Sequence, residues 1–256
     1  MTRRSRRYLL VLFVAWIIYI LSGQRTYLVS SLFNKDDRIL LLTAHPDDEC
    51  MFFAPTITAL VQNGIKMFSL CLSIGNADGL GVVRPLELKR SLAVLGVPAD
   101  HSEVVNHPAL QDNIHQSWDP EVIANVLKPF VEVHNITTIL TFDERGISNH
   151  PNHYSLPLGA AHLLYNMPNI PIRLLSLKTV PTLPKYTGFL SPIITNIWYS
   201  FIVNPRRPVF VAGFKGYRTA LQAMYQHWSQ LVWFRWLYVL FSRYMWINEW
   251  LPVHIA

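Results

Sequence analysis

The stretch RILLLTAHPDDE, residues 38–49, joins an apolar run directly to a histidine and three carboxylates. The run from Arg38 to Ala44 predicts a strand buried on both faces, because its apolar residues are continuous and do not alternate with polar ones. Three acids at the end of one strand repel one another and resist burial unless an opposite charge is present. The stretch therefore indicates a fold built on a buried strand, with a cation bound where that strand ends.

Strand-like and helix-like segments alternate along the chain outward from this stretch. The predicted strands are residues 38–44, 65–74, 102–106, 137–143 and 172–180. The predicted helices are residues 49–63, 84–97, 119–135 with Asp119 as N-cap, and a last one that starts at Pro157 and ends near residue 166. Buried strands that alternate with helices predict a Rossmann-like three-layer α/β fold with a mostly parallel sheet, here over residues 37–187.

Residues 1–36 are predicted to be a basic N-terminus followed by a hydrophobic membrane anchor. The basic residues are Arg3, Arg4, Arg6 and Arg7. They precede YLLVLFVAWIIYILSG, residues 8–23, which carries no charge and is slightly shorter than the ~20 residues that span a bilayer comfortably. A cleaved signal peptide is the alternative, but the bulky core with no small-residue cleavage site behind it favours a retained anchor.

Residues 188–256 form a third region, which is rich in aromatic side chains. It contains two apolar segments, residues 189–203 and 228–250, and the second includes Arg235 and Arg243 among many Trp and Tyr residues. The two arginines argue against a simple spanning helix, and Trp and Tyr prefer the headgroup level of a membrane. The segments are predicted to contact the membrane interface, with an aromatic helix packed on the sheet as the alternative.

The composition suits a membrane-associated enzyme, with 51% hydrophobic and 15% charged residues. The formal charge is +6, but four arginines lie in the first seven residues, so we expect no nucleic-acid partner. The glycine-rich stretch GNADGLG, residues 75–81, follows the second predicted strand and not the first, so no nucleotide cofactor is expected. Cys50 and Cys71 lie in apolar segments and are expected to be reduced, inert core thiols.

A second histidine-rich stretch, TFDERGISNHPNH, residues 141–153, follows the fourth predicted strand. The carboxyl ends of parallel strands open on the same edge of a sheet, so this stretch should lie beside AHPDDE. His45, Asp48 and His153 would then supply two imidazoles and one carboxylate, a set used by catalytic zinc sites. Each stretch also has an ordinary interpretation: acids near a helix N-terminus for the first, and surface histidines for the second.

Together the motifs AHPDDE, RPLELKRSLAVLG and HPNH resemble those of the LmbE/PIG-L zinc deacetylases, over roughly residues 37–180. The resemblance implies a zinc-dependent amide hydrolase that removes acetate from the N-acetylglucosamine of a glycolipid, an early step in GPI-anchor synthesis. Zn²⁺ is the expected metal, and another divalent metal is the alternative. Deacetylation of a soluble acetamido sugar and a catalytically silent membrane scaffold are the rival functions.

The same resemblance implies roles for individual residues. It makes His45, Asp48 and His153 the zinc ligands. It makes Asp47 the general base and a charged His150 the donor to the developing oxyanion, in agreement with the chemistry of these groups. Arg84 and Asp112 are candidate substrate contacts, and Glu49 is expected to cap the following helix or to orient a ligand. A tyrosine that assists some soluble relatives has no counterpart, because Ser148 occupies the position two before His150.

The catalytic domain is expected to face the cytosol at the endoplasmic reticulum membrane. The N-terminal arginines point the other way, since they favour a cytosolic N-terminus and a single span would then place the domain in the lumen. The resemblance, the two reduced cysteines and the sequon at Asn135 outweigh that bias, because a glycan at Asn135 is expected to crowd the fold.

Overall fold

The computed structural model describes residues 3–27, 32–201 and 207–255. These residues form an α/β fold around one eight-stranded sheet. The strands are β1 (Arg25–Tyr27), β2 (Arg38–Thr43), β3 (Lys66–Cys71), β4 (Ser102–Val104), β5 (Thr138–Phe142), β6 (Arg173–Leu177), β7 (Val209–Val211) and β8 (Ile247–Pro252).

Eleven α-helices accompany the strands in the described part of the chain. They are α1 (Arg3–Ser22), α2 (Asp48–Phe52), α3 (Ala54–Gln62), α4 (Arg84–Leu95), α5 (Pro120–Val133), α6 (Gly146–Asn149), α7 (Pro151–Tyr165), α8 (Thr182–Lys185), α9 (Leu190–Ser200), α10 (Phe214–Met224) and α11 (Trp233–Phe241). α5 packs against α7 in one layer, and α3, α4 and α10 pack together in the other.

Five strands of the sheet are parallel, in the order β6-β5-β2-β3-β4. β2 lies in their middle, where Leu40 is in register with Phe68 of β3 and Ile139 of β5. All three side chains are buried, as helices cover both faces of the sheet. The predicted three-layer α/β fold with a mostly parallel sheet is therefore confirmed.

The C-terminal region adds two strands that the sequence did not predict. β8 runs antiparallel to β6, and β7 and β1 continue the sheet in antiparallel pairing. The carboxamide oxygen of Asn248 accepts from the backbone N–H of Thr56 at 3.1 Å, and its nitrogen donates to the carbonyl of Phe52 at 2.6 Å. Trp250 is fully buried and stacks on Phe53. The end of the chain thus holds the α2–α3 segment in place.

Two predicted helices have different bounds in the structure. The helix predicted over residues 49–63 is divided into α2 and α3 at Phe53, next to Pro55 in the first turn of α3, where proline is tolerated. The helix predicted from Pro157 begins six residues earlier, because His150 caps it and Pro151 occupies its first position. This earlier start places His153 in the first helical turn.

The predicted N-terminal anchor is not supported. Across residues 3–27, 32–201 and 207–255, no helix has both the length and the hydropathy needed to cross a membrane. Residues 8–23 belong almost entirely to α1, whose apolar side chains include the exposed Leu10 and Leu12. Of the predicted interfacial segment 189–203, the last two residues lie outside the described part of the chain.

Asn135 of the sequon is exposed, in a turn between α5 and β5 where its φ is +48°. The expectation that a glycan there would crowd the fold is therefore wrong. Cys50 and Cys71 are free and fully buried, and burial raises the pKa of both thiols.

Candidate metal and active site

The candidate site lies at the carboxyl ends of β2 and β5, which are neighbours in the sheet. The chain leaves β2 at Thr43 and enters the loop that carries His45, and it leaves β5 at Phe142 before the turn that carries His150. The chain crosses from β2 to β3 on one side and from β5 to β6 on the other. This is the switch point where ligands bind in open α/β sheets, and a pocket of about 510 Å³ lies there.

Three polar side chains converge on one point in this pocket. Nδ1 of His45 is 3.2 Å from Nε2 of His153, and that Nε2 is 3.2 Å from Oδ1 of Asp48. Nδ1 of His45 is 3.9 Å from Oδ2 of Asp48. All three residues are at most 5% exposed. The structure thus brings together the three residues that the sequence analysis names as metal ligands.

The hydrogen bonds around the two imidazoles indicate where their protons lie. Nδ1 of His153 is 3.1 Å from the carbonyl of Gly146, which only accepts, so Nδ1 is the donor and Nε2 presents a lone pair. Nε2 of His45 is 3.2 Å from Oδ1 of Asp112 and 3.0 Å from Oδ1 of Asn152, so Nε2 is the donor and Nδ1 presents the lone pair.

Two lone pairs and a carboxylate therefore face one another, buried from solvent. Such a set of acceptors is stable only with a proton or a cation between its members. Two imidazoles and one carboxylate match a catalytic zinc set, and each imidazole is held by an acceptor behind it, as ligating histidines usually are. His45, Asp48 and His153 fit a divalent metal.

The pKa shifts of His45 and Asp48 have the directions expected where positive charge and a carboxylate attract each other. Burial alone would lower the pKa of His45, but its hydrogen bond to Asp112 and the charge of Asp48 raise it above 6.5. Burial alone would raise the pKa of Asp48, but a proton on Nε2 of His153, in the position that a cation would otherwise take, lowers it through its charge and its hydrogen bond. The carboxylate is thus ionised, and it favours positive charge at this point.

Asp47 and Asp48 have different partners. Asp47 has a φ of +121°, a backbone conformation that is strained for residues other than glycine, and it is 2% exposed. Its carboxylate meets two guanidinium groups: Oδ1 is 3.6 Å from Nη2 of Arg84, and Oδ2 is 2.9 Å from Nη2 of Arg235. Asp48, in contrast, accepts the backbone N–H of His45 at 2.9 Å. The carboxylates of Asp47 and Asp48 are therefore held by different groups and can serve different functions.

Arg84 is buried, and its guanidinium donates hydrogen bonds to two backbone carbonyls and to Asp112. Its Nη2 donates to the carbonyl of Pro46 at 2.7 Å, and its Nη1 donates to the carbonyl of Gly75 at 2.9 Å and to Asp112 at 3.3 Å. Gly75 has a φ of +66°, and a Cβ there would lie 2.6 Å from the guanidinium. The glycine-rich loop thus leaves room for Arg84, which ties Asp112 to the loop of Asp47.

Glu49 supports the strained turn at Asp47. Its Oε2 accepts the backbone N–H of Asp47 at 3.1 Å, and its Oε1 is 2.7 Å from Nε2 of His227 and accepts from Ser91. Glu49 and His227 have fully buried side chains. Burial alone would lower the pKa of His227 and raise that of Glu49, but their mutual charge reverses both shifts. The two groups form a buried ion pair that holds the site in place.

This ion pair predicts a pH-dependent stability. The raised pKa of His227 gives stability that is complete below its ordinary value of 6.5 and is lost as the pH rises through the raised value. The lowered pKa of Glu49 gives stability that is complete above its ordinary value of 4.5 and is lost at lower pH. His227→Ala should therefore cost about 3–5 kcal/mol, with the largest loss between these two pH values.

Thermal unfolding of the His227→Ala protein from pH 5 to 9 measures this effect. The same substitution at His162, a partly exposed residue of α7, is the control and should show a small change at every pH. A difference in Tm between wild type and His227→Ala that stays constant over the whole range would contradict a charged pair.

His150 lies at the pocket wall, with its ring centroid 4.7 Å from that of His45 and 4.9 Å from that of His153. Burial lowers its pKa to about 4, and positive charge at the point shared by His45 and His153, as a proton or a cation, adds to this. The expectation of a charged His150 is therefore not supported. Nδ1 of His150 accepts the backbone N–H of Asn152 at 3.3 Å, so the neutral ring carries its proton on Nε2 and can donate it.

The structure also brings in residues that the sequence analysis did not assign to the site. Asn152 is fully buried and bonds His45, and its position between His150 and His153 was the available signal. Arg235 comes from α11, and the sequence feature that could have identified it is a single charge within the apolar run WFRWLYVLF. His227 had no signal in the sequence, because its partner Glu49 is 178 residues away.

The known proteins with the sequence similarity described next are named for the same enzyme activity. The family model described as "PIG-L: GlcNAc-PI de-N-acetylase" matches residues 40–163. The chain is 40% identical to N-acetylglucosaminyl-phosphatidylinositol de-N-acetylase of Bos taurus, covering 83% of this chain and 82% of the bovine protein. It is 38% identical to the probable enzyme of the same name from Schizosaccharomyces pombe, covering 88% of this chain and 87% of the yeast protein.

A solved structure shares the fold. N,N'-diacetylchitobiose deacetylase from Pyrococcus horikoshii, in complex with an inhibitor, superposes with a TM-score of 0.59 over 88% of this chain and 89% of the archaeal chain. The sequence identity is 15%, so this similarity concerns the fold alone.

Proposed function

The chain belongs to the PIG-L family of GlcNAc-PI de-N-acetylases, and from this membership we propose its reaction and its catalytic residues. The enzyme hydrolyses the acetamide of N-acetylglucosaminyl-phosphatidylinositol to glucosaminyl-phosphatidylinositol and acetate, in GPI-anchor biosynthesis. The observation that carries the assignment of the site is the convergence of His45 Nδ1, Asp48 Oδ1 and His153 Nε2 at the carboxyl ends of β2 and β5.

These three residues are proposed to hold Zn²⁺, with another divalent metal as the alternative. When bound, the metal would polarise the acetamide carbonyl and make water in the site more acidic. Asn152 and Asp112 hold His45 in the orientation that this requires, and the carbonyl of Gly146 does the same for His153. Asp112 is therefore proposed to position His45, in addition to any contact with the sugar.

Asp47 is proposed to be the general base. It lines the same pocket as the metal ligands, and its carboxylate contacts Arg235 and Arg84 rather than the two imidazoles. It takes a proton from the attacking water and later delivers it to the nitrogen of the leaving amine. The strained backbone at Asp47, held by Glu49, keeps this carboxylate separate from that of Asp48.

His150 is proposed to donate a hydrogen bond from Nε2 to the carbonyl oxygen as negative charge develops on it. A neutral donor fits the lowered pKa of His150, since the ring needs no second proton for this role. Ser148 also lines the pocket.

The proposed cellular location of the enzyme follows from its proposed lipid substrate. A phosphatidylinositol lipid remains in a membrane, so the catalytic pocket is proposed to act at the surface of the endoplasmic reticulum membrane, facing the cytosol. Two free, buried cysteines support a reducing compartment. Exposed aromatic side chains on α11, such as Trp233, support contact of the C-terminal region with the headgroup level of the membrane.

Acetate release by purified protein tests the proposed reaction. Synthetic N-acetylglucosaminyl-phosphatidylinositol in detergent micelles should be deacetylated, and free N-acetylglucosamine at the same concentration should react far more slowly. Faster reaction of the soluble sugar would identify a soluble acetamido sugar as the substrate and contradict the proposal. Absence of acetate from both substrates would exclude the proposed activity.

His150→Ala tests the donor role. The rate should fall by about 10²–10³, the usual effect of removing one oxyanion donor, while the bound metal stays unchanged. Acetate release and metal content of the same preparation give both values. Normal turnover would contradict the role, and loss of the metal together with the rate would make His150 a fourth ligand.

A further inference from the structure

A second depression adjoins the catalytic pocket on the side of α11. This apolar groove has a volume of about 430 Å³ and is lined by Tyr186, Phe234, Arg235, Leu237, Tyr238 and Phe241. Three of these residues, Tyr186, Arg235 and Tyr238, also line the catalytic pocket. The groove is thus continuous with the place where the acetamide is hydrolysed.

Arg235 stands between the pocket and the groove. Its Nη2 is 2.9 Å from Oδ2 of Asp47, its Nη1 contacts Sδ of Met51 at 2.8 Å, and its side chain remains 25% exposed. A guanidinium has five N–H donors, and these two contacts leave donors for a further anion. It is the one charged residue of α11.

The other cations that line the pocket are held differently. Arg84 is buried, and both of its terminal nitrogens bond the protein. Lys185 donates to the carbonyl of Ile147, burial lowers its pKa, and it does not border the groove. Among the described residues, Arg235 is therefore the cation that both borders the apolar groove and reaches the pocket.

The surface beside the groove is apolar and open to solvent. Trp233, Leu240 and Phe241 of α11 are each more than half exposed, and so is Phe189, in the segment directly before α9. That segment is joined to α11 by the backbone N–H of Gly188, which donates to the carbonyl of Phe241 at 2.8 Å. Continuous apolar patches of this kind mark binding surfaces on soluble domains.

We propose that Arg235 binds the phosphodiester of the glycolipid substrate and that the groove on α11 holds the first part of its acyl chains. The inference rests on the proposed function. In N-acetylglucosaminyl-phosphatidylinositol the sugar, the inositol, the phosphate and the acyl chains follow in that order from the acetamide outward. In the structure the metal ligands, the open pocket that has room for the sugar and the inositol, a guanidinium and an apolar groove follow in the same order.

The pairing of Arg235 with Asp47 determines how the proposal must be tested. A substitution of Arg235 also removes a counter-ion from the base, so turnover alone does not separate the two effects. A change that acts through Asp47 lowers the rate equally for every substrate. A lost phosphate contact lowers only the rate for substrates that carry the phosphate. The ratio of kcat/KM between two substrates therefore isolates the phosphate contact.

The experiment compares wild type with Arg235→Gln on three substrates. These are the intact glycolipid, N-acetylglucosaminyl-inositol phosphate without acyl chains, and N-acetylglucosaminyl-inositol without phosphate. Arg235→Gln should lower the kcat/KM of both phosphorylated substrates by about tenfold or more relative to the third, mainly through KM. Arg235→Lys should recover part of the loss, since a lysine keeps the charge but not the fork of donors.

A second variant tests the groove. Leu237→Ser should raise KM for the intact glycolipid and leave the two substrates without acyl chains unchanged. Arg218→Gln, an exposed cation of α10, is the matched control and should change none of the ratios. The Tm of each variant shows whether it remains folded.

Three outcomes would overturn the inference. Equal losses on all three substrates would make Arg235 a positioning residue for Asp47. Unchanged ratios in both Arg235→Gln and Leu237→Ser, with the wild type active on the glycolipid, would exclude the lipid site while leaving the proposed function intact. Wild-type protein without activity on any of the three substrates would overturn the proposed function and this inference with it.

Discussion

His153→Ala should lose the bound metal and, with it, acetate release. The substitution removes one of the three groups that converge in the pocket, and His45 and Asp48 alone form an incomplete site. The metal is expected to contribute several kcal/mol to the transition state, so the rate should fall by at least about 10³. Metal content by elemental analysis and acetate release, measured on one preparation, give the two values.

His162→Ala is the matched control for this substitution. His162 lies on the same helix, α7, but away from the pocket, so its replacement should leave metal content and rate close to those of wild type. A His153→Ala protein that binds one metal ion per chain and keeps its rate would show that the metal site lies elsewhere.

Asp47→Asn should lower turnover by about 10²–10⁴ while the protein keeps its metal. Asparagine has nearly the same shape but cannot accept the proton of the attacking water. The substitution leaves the three metal ligands in place, because Asp47 contacts Arg84 and Arg235 and is not one of the three converging groups. Turnover under saturating substrate, together with metal content, separates a base from a ligand.

The exposed Asp100 provides the control, since Asp100→Asn removes the same charge far from the pocket and should have no effect on turnover. Asp47→Asn leaves two arginines with one fewer counter-ion, so its Tm must be measured as well. If Asp47→Asn loses the metal as completely as His153→Ala, then Asp47 is a ligand and the assignment of the base is wrong.

The sequence was sufficient to predict the parallel strands of the sheet. β2, β3 and β5 are mostly apolar, do not alternate between apolar and polar residues, and are flanked by helices; such strands are predictable because both of their faces are buried. The positions of His45 and His153 followed from the same rule, since their loops come after β2 and β5 and parallel strands end at one edge.

The C-terminal third was less predictable because its structure depends on contacts far away in the sequence. β7 has three residues, and β8, with the sequence INEWLP, lacks both an apolar run and a regular alternation. Their pairing is set by β6 and by the bonds of Asn248 to the α2–α3 segment. Local patterns do not record such contacts.

The electrostatics of the site also required the folded structure. The sequence indicated a charged His150, whereas burial and its position as the N-cap of α7 favour the neutral ring. Arg235 looked like an obstacle to a membrane-spanning helix, whereas α11 places it beside Asp47. In both cases the neighbours that decide the role come from separate elements.

The most direct test of the account is acetate release from N-acetylglucosaminyl-phosphatidylinositol as zinc is added back to chelator-treated protein. Activity should be absent without metal and should rise linearly until one equivalent of zinc per chain is bound, because His45, Asp48 and His153 form a single site. Full activity of metal-free protein, with less than about one-hundredth of an equivalent of any divalent metal bound, would contradict the account.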